Sequence, residues 1–208
     1  MATTLSAIGL ATATALVTVA ATAPAEAAII GFDPLGGLNL APYTGHVEDG
    51  FTISTLNGAW QQGQIFGDPT PSILGGPIGV PEPGVLSIIF NGNRNFFFRS
   101  VELSSNNTAG SQYRFQGFFK GSSAFDSIGS IGIKNQFQRF DNAASGIAID
   151  ELRISVTPGL NVSSFNVDNI DVAPIPTPAL LPGLIGMGVA ALRKRQEQDD
   201  NARNNGSY

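Results

Sequence analysis

Between residues 29 and 172 no window carries apolar side chains at helical spacing on good helix formers. The chain breaks instead into short runs rich in Phe, Ile, Val, Thr and Tyr, each bounded by Gly, Pro, Asn or Ser. A short run that alternates apolar and polar residues buries its apolar face by pairing into a sheet, so this punctuation confines the region to an all-β fold. Nine runs stand out, at residues 50–55, 59–66, 85–90, 95–104, 112–120, 130–133, 136–140, 147–156 and 164–172. In the fifth, Tyr113, Phe115, Gly117 and Phe119 fall on one side and Gln112, Arg114, Gln116 and Phe118 on the other. In the eighth, Leu152, Ile154 and Val156 oppose Arg153 and Ser155. Eight or nine short strands with turn signals between them predict a single β-sandwich over residues 29–172, jelly-roll-like rather than immunoglobulin-like.

Composition closes other routes. Only 13% of the 208 residues are charged, and 25 glycines and 13 prolines interrupt the chain, which excludes a coiled coil or a long helical bundle. Fourteen phenylalanines supply the apolar mass for a core. The absence of cysteine removes disulfides, zinc–thiolate centres and thiol catalysis together. A net charge of −5 makes nucleic acid a poor partner.

Both ends read as addresses. Residues 1–28 form an apolar run whose only ionisable side chain is Glu26, and it closes on the small-residue pattern Ala25-Glu26-Ala27. This is the pattern of a signal peptide cleaved after Ala27 or Ala28. At the other end, residues 173–178 are a proline-rich tether. Residues 179–192 are uncharged and would make a helix of about 21 Å, short for a permanent membrane anchor and suited to a temporary one. Arg193, Lys194 and Arg195 then form a basic stop signal at the start of a polar, disordered tail over residues 193–208. A second proline motif, Val80-Pro81-Glu82-Pro83, precedes a strand-length run and a turn, so it reads as a loop entering a strand.

Pro176-Thr177-Pro178-Ala179, the glycine-laced apolar stretch after it and Arg193-Lys194-Arg195 resemble the PTPA-type C-terminal sorting domain, a cyanobacterial variant of the PEP-CTERM signals. The resemblance implies recognition by an exosortase, a membrane-embedded peptidase that cleaves near the proline motif. It also implies passage through the inner membrane to the cell surface or extracellular matrix, in association with exopolysaccharide. Landmarks of the middle region are similar to the β-sandwich modules that precede such tags, which look like carbohydrate-binding jelly rolls. Among them are Glu48-Asp49-Gly50-Phe51, Trp60 and the segment from Phe165 to Ile170. That likeness implies a structural Ca²⁺ held by Glu48 and Asp168, against the plainer reading of solvated or turn-capping side chains.

Little in the sequence points to catalysis. The single histidine, His46, lies in a Gly-flanked stretch that reads as an exposed loop, and no nucleophile elbow accompanies it. Twelve acidic residues of the middle region could supply the two carboxylates of a glycosidase, with nothing to choose between pairs. A sugar site would use an exposed aromatic platform beside amides, for which Trp60 with Gln61, or Tyr43, are candidates, while aromatics at strand spacing more commonly face a core. The basic residues of the region are scattered singly. The expectation is therefore a non-enzymatic, exported sandwich with a structural or glycan-binding role and no required cofactor. The alternatives are a secreted glycan-active enzyme and a membrane-anchored periplasmic binding module.

Overall fold

The computed structural model describes residues 27–76, 82–106, 110–132, 135–159 and 164–176. The signal-peptide segment up to residue 26, with Ala25, lies outside these residues. So do Val80, Pro81, Thr177, Pro178, Ala179, the apolar stretch after them and Arg193-Lys194-Arg195. Twelve strands and no helix occur among the described residues: β1 Ala28–Ile30, β2 Gly45–Glu48, β3 Phe51–Asn57, β4 Trp60–Gly63, β5 Ser72–Gly75, β6 Gly84–Phe90, β7 Phe96–Ser105, β8 Ser111–Phe119, β9 Ser122–Ile131, β10 Gln138–Asp141, β11 Glu151–Thr157 and β12 Phe165–Pro174.

They form two antiparallel sheets, the sandwich that the alternating runs require. In the first, β10, β7, β12, β5 and β4 follow in order, with β1 beside β12. The second runs β2-β3-β6-β11-β8-β9. From β5 to β8 and from β9 to β12 each consecutive strand crosses to the opposite sheet, so the chain wraps one core instead of folding two separate layers. Ala28 pairs with Val172 and Ile30 with Ile170, so the chain enters and leaves the sandwich side by side.

The core is aromatic at its centre. Phe98 of the first sheet meets Phe115 of the second edge-on, with ring centroids 5.3 Å apart. Phe51 meets Phe96 in the same way at 5.2 Å, and Trp60 meets Phe165 at 5.3 Å. Edge-on contact sets the positive ring edge against a negative ring face, which adds to the gain from burial. The last pair demands glycine beside it. A Cβ at Gly84 would stand 2.6 Å from Phe165 Cζ and 2.7 Å from Trp60 Cζ2.

The structure corrects the sequence reading in several places. His46 is in strand β2 and not in an exposed loop, with its side chain only 11% exposed. The expected strand at 130–133 is the end of the ten-residue strand β9, which begins at Ser122. β1 and β5 carry too few residues to stand out in the sequence. The run at 147–156 becomes a strand only from Glu151, Ile149 making an isolated bridge to Phe96. Ala28 belongs to β1, and β12 continues through Ala173 and Pro174, so strand pairing reaches past the 29–172 boundaries at both ends.

Candidate functional site

The aromatic platform is not where the sequence put it. Trp60 is 3% and Tyr43 4% exposed. Strand alternation turns Trp60 inward, and its indole Nε1–H donates to the Asn57 carbonyl at 2.9 Å. Gln61, its neighbour on β4, lies opposite Leu74 and is half-buried. Tyr43 sits against Phe32 and His46. Neither aromatic can stack on a ligand in solvent.

Tyr43 belongs instead to an internal polar chain. His46 Nε2–H donates to Glu48 Oε2 at 2.9 Å, which leaves Nδ1 to accept from the Tyr43 hydroxyl, also at 2.9 Å. Glu48 Oε1 accepts from the Gly31 N–H and Oε2 from the Phe32 N–H, at 3.1 and 3.0 Å. Burial, helped by the Glu48 charge, pushes the Tyr43 phenol above its ordinary pKa, so the hydroxyl stays a donor. This chain clamps the segment after β1 to β2.

Asp168 has a separate task. Fully buried on β12, it accepts from the Asp68 N–H at 2.8 Å through Oδ2 and from the Asn169 N–H at 2.9 Å through Oδ1. Asn169 Nδ2–H₂ bridges the Asp68 carbonyl and Glu102 Oε2. The segment between β4 and β5 is thereby fastened over the outer face of the first sheet. Burial raises the Asp168 carboxyl to about 7; the two N–H bonds oppose the rise and the Glu102 and Asp68 charges assist it. Glu48 and Asp168 are thus committed to different backbone donors. Among the described residues no three His, Asp or Glu side chains form a group able to hold a metal ion, so the Ca²⁺ expectation finds no ligand set there.

The outer face of the second sheet differs. Six strands at ~4.8 Å spacing make it roughly 24 Å wide. Register places Gly45, Ser54, Ser87, Arg153, Gln116 and Asp126 opposite one another in a single row crossing all six strands. Beside it runs a second row of Val47, Thr52, Ile89, Glu151 and Phe118. A third holds Val85, Ser155, Arg114 and Ile128. On β2, β3 and β6 the central row is glycine and serine between the larger side chains of Val47, Ile89 and Val85, which makes a shallow trough. That trough runs towards Arg153.

Two ion pairs dominate the far half of this face. Arg114 grips Asp126 through Nε at 2.8 Å and through Nη2. Arg153 grips Glu151 through Nε at 2.7 Å and Nη2 at 3.2 Å, and Ser87 Oγ–H donates to the same carboxylate at 2.9 Å. The Arg153 guanidinium also lies 4.5 Å over the Phe118 ring. Burial alone would raise the Glu151 carboxyl, but the bonds from Arg153 and Ser87 outweigh it and hold the pKa below its usual value. Asp126 is likewise lowered, chiefly by Arg114. Past the third row, Gln112, Ser130 and Thr157 line a cavity of about 450 Å³ with Ser111 and Pro158. Half of this arrangement was signalled in the sequence, where Arg114, Gln116, Phe118 and Arg153 alternate with core residues. The acids were not, because pairing Asp126 with Arg114 requires β9.

No family model matches the chain, and no curated protein matches it. Solved structures superpose on part of the chain. A DUF4465 family protein from Bacteroides caccae superposes with a TM-score of 0.49 at 9% identity, over 72% of this chain and 100% of that one. A family 29 carbohydrate-binding module from Piromyces equi gives 0.44 at 12% identity, over 73% and 91%. A family 32 module of NanJ from C. perfringens, solved with galactose, gives 0.41 at 17% identity, over 60% and 97%.

Proposed function

We propose that this chain is an exported, non-enzymatic protein delivered through a C-terminal sorting signal, and that its sandwich binds glycans on the outer face of the second sheet. The observation that carries the binding reading is the pair of guanidinium–carboxylate clamps, Arg114–Asp126 and Arg153–Glu151, held flat on a broad sheet face. Planar donors and acceptors beside apolar side chains are what polyhydroxylated rings require. The charge states speak against these two acids as a glycosidase pair: such an enzyme keeps one carboxyl protonated for acid catalysis, and Asp126 and Glu151 are both held ionised. Asp168, the carboxyl that burial does raise, is covered by the Asp68 segment.

Delivery rests on the sequence. The signal peptide takes the domain across the inner membrane, residues 179–192 park it there with Arg193–Arg195 inside, and an exosortase cleaves near Pro176–Ala179. The product reaches the cell surface or matrix, where exopolysaccharide is the partner. Cleavage after Ala27 fits the strand arrangement, because it leaves Ala28 to pair with Val172. Cleavage after Ala28 would remove one of the three pairs of that ladder.

Two measurements test this. Intact mass of the protein from the extracellular fraction of the native host should begin near Ala28 and end near the proline tether; retention of Arg193–Tyr208 refutes the sorting reading. Electrophoresis through polysaccharide gels should show saturable retardation that Arg153→Ala loses. Release of soluble sugars from the cell's own polysaccharide would favour the enzyme alternative.

A further inference from the structure

We infer that the ligand of this face is an uncharged, hydroxyl-dense polysaccharide, selected because both guanidinium groups are already neutralised by carboxylates of the same sheet. This inference rests on the glycan-binding reading and adds the chemical class of the glycan.

Among the described residues the cations in these rows are Arg114 and Arg153, and each has a carboxylate across its Nε and Nη2. Among the described residues the three rows of this face therefore carry two positive and two negative groups, which cancel. An incoming uronate or sulfate would have to displace Asp126 or Glu151, partners that the fold holds in place and that pay no association entropy. It would also meet the exposed lone pairs of those acids and a chain of net charge −5. A hydroxyl group faces neither obstacle. It donates and accepts at once, and a guanidinium–carboxylate pair offers an N–H and a lone pair side by side without being taken apart. Ser54, Gln116 and Gln112 extend the same mixed donor–acceptor character along the trough and towards the cavity beyond, with Ser87 buried and committed to Glu151. Exposed Val47, Ile89 and Ile128, at 58%, 38% and 70%, supply apolar surface for the C–H faces of sugar rings.

The selectivity is built by pairing, so it can be removed by unpairing. Asp126→Asn and Glu151→Gln keep size and hydrogen-bonding shape but release both guanidinium charges. The full extracellular protein and this double variant are run through gels containing mixed-linkage β-glucan, galactomannan, xylan, alginate or polygalacturonate, in low and high salt. Arg139→Ala, on the opposite sheet, serves as the control. The expected result is retention on a neutral polymer that is insensitive to salt and little or none on the two anionic ones. The double variant should lose at least about tenfold in neutral-polymer affinity, a change of ~1.4 kcal/mol, and gain salt-sensitive retention on alginate. Retention of the unmodified protein only on anionic gels, lost in high salt, overturns the neutral-ligand inference while leaving glycan binding intact. Retention on no gel overturns both. Unchanged neutral retention in a folded double variant, checked by circular dichroism, overturns this face as the site. Should the double variant not fold, Asp126→Asn alone on the edge strand β9 gives the same comparison.

Discussion

The outer faces of the two sheets carry similar residues and treat them in opposite ways. On the second sheet Glu151 stays in contact with solvent, is clamped by Arg153 and Ser87, and is held ionised. On the first, Asp168 lies beneath the segment that joins β4 to β5, bonded to the Asp68 and Asn169 amides and facing Glu102. Its carboxyl rises to about 7. The chemistry of an acid on a strand is thus decided by what covers the strand and only secondarily by the acid. Around Asp168 the first face is closed with loop backbone, while Arg139 and Asp141 on the same sheet stay exposed. The other leaves its ion pairs facing solvent.

Substitutions can break or sharpen this contrast. The largest effect is expected where both faces depend on one core. Phe98→Ala should cost ~3–5 kcal/mol in urea unfolding, and Trp60→Ala a similar amount, with binding lost only in proportion to unfolded protein. A Trp60→Ala variant that stays fully folded yet no longer binds would return Trp60 to the ligand and contradict its burial.

Next comes the pH response, in which the two acids have opposite signs. Below about pH 4 Asp168 is protonated in folded and unfolded chains alike. Between about 4 and 7 the folded protein keeps that proton and the unfolded chain has lost it, so stability falls as pH rises through this window. Thermal melting of Asp168→Asn should lack that slope. Glu151, with its lowered value, contributes stability at neutral pH that disappears only as pH falls below the ordinary carboxylate range. A slope unchanged by Asp168→Asn would remove the distinction between the faces.

Smaller still is Asn169→Gly. Asn169 has φ 44°, so glycine accepts its backbone while removing both side-chain bonds to the covering segment. A loss of ~1–2 kcal/mol is expected, with faster hydrogen exchange confined to residues 64–71. Least of all, Arg153→Ala should scarcely move the melting temperature, because a half-exposed ion pair contributes little to folding. Its effect should appear in glycan retention.

Much of the sandwich was legible. The runs at 85–90, 95–104, 112–120 and 164–172 lie within two residues of β6, β7, β8 and β12 at either end, because each is rich in Phe, Ile, Val, Leu or Tyr and bounded by turn residues. β9 escaped notice because Ser122–Ile131 is mostly serine, glycine and alanine. As an edge strand it needs little apolar surface, and Gly129 makes room for the Tyr113 ring. β2 escaped because its inward side chains are His46 and Glu48, a polarity that pattern reading assigns to solvent; the two satisfy each other inside. The face proposed to bind glycan was half visible for a related reason. Alternation reveals which way Arg114 and Arg153 point, while their neutralisation depends on pairing across strands, and twelve acids could have supplied it. Trp60 and Tyr43 were candidates for a platform because their chemistry suits sugars, and the core claimed both.

The side-by-side entry and exit of the chain also fixes how the domain responds to being pulled. Force applied between its two ends loads the Pro174–Phe96 and Ala173–Phe97 pairs of β12 with β7 together with the Ala28–Val172 pair, and opens the three-pair β1–β12 ladder like a zip. Bonds loaded one after another share no load, so these three pairs yield at low force. Extension then reaches Gly31 and Phe32, whose amides are both held by Glu48. Strained through its ends, the domain would give up β1 as a mechanical fuse and hold at Glu48, with the outer face of the second sheet still intact.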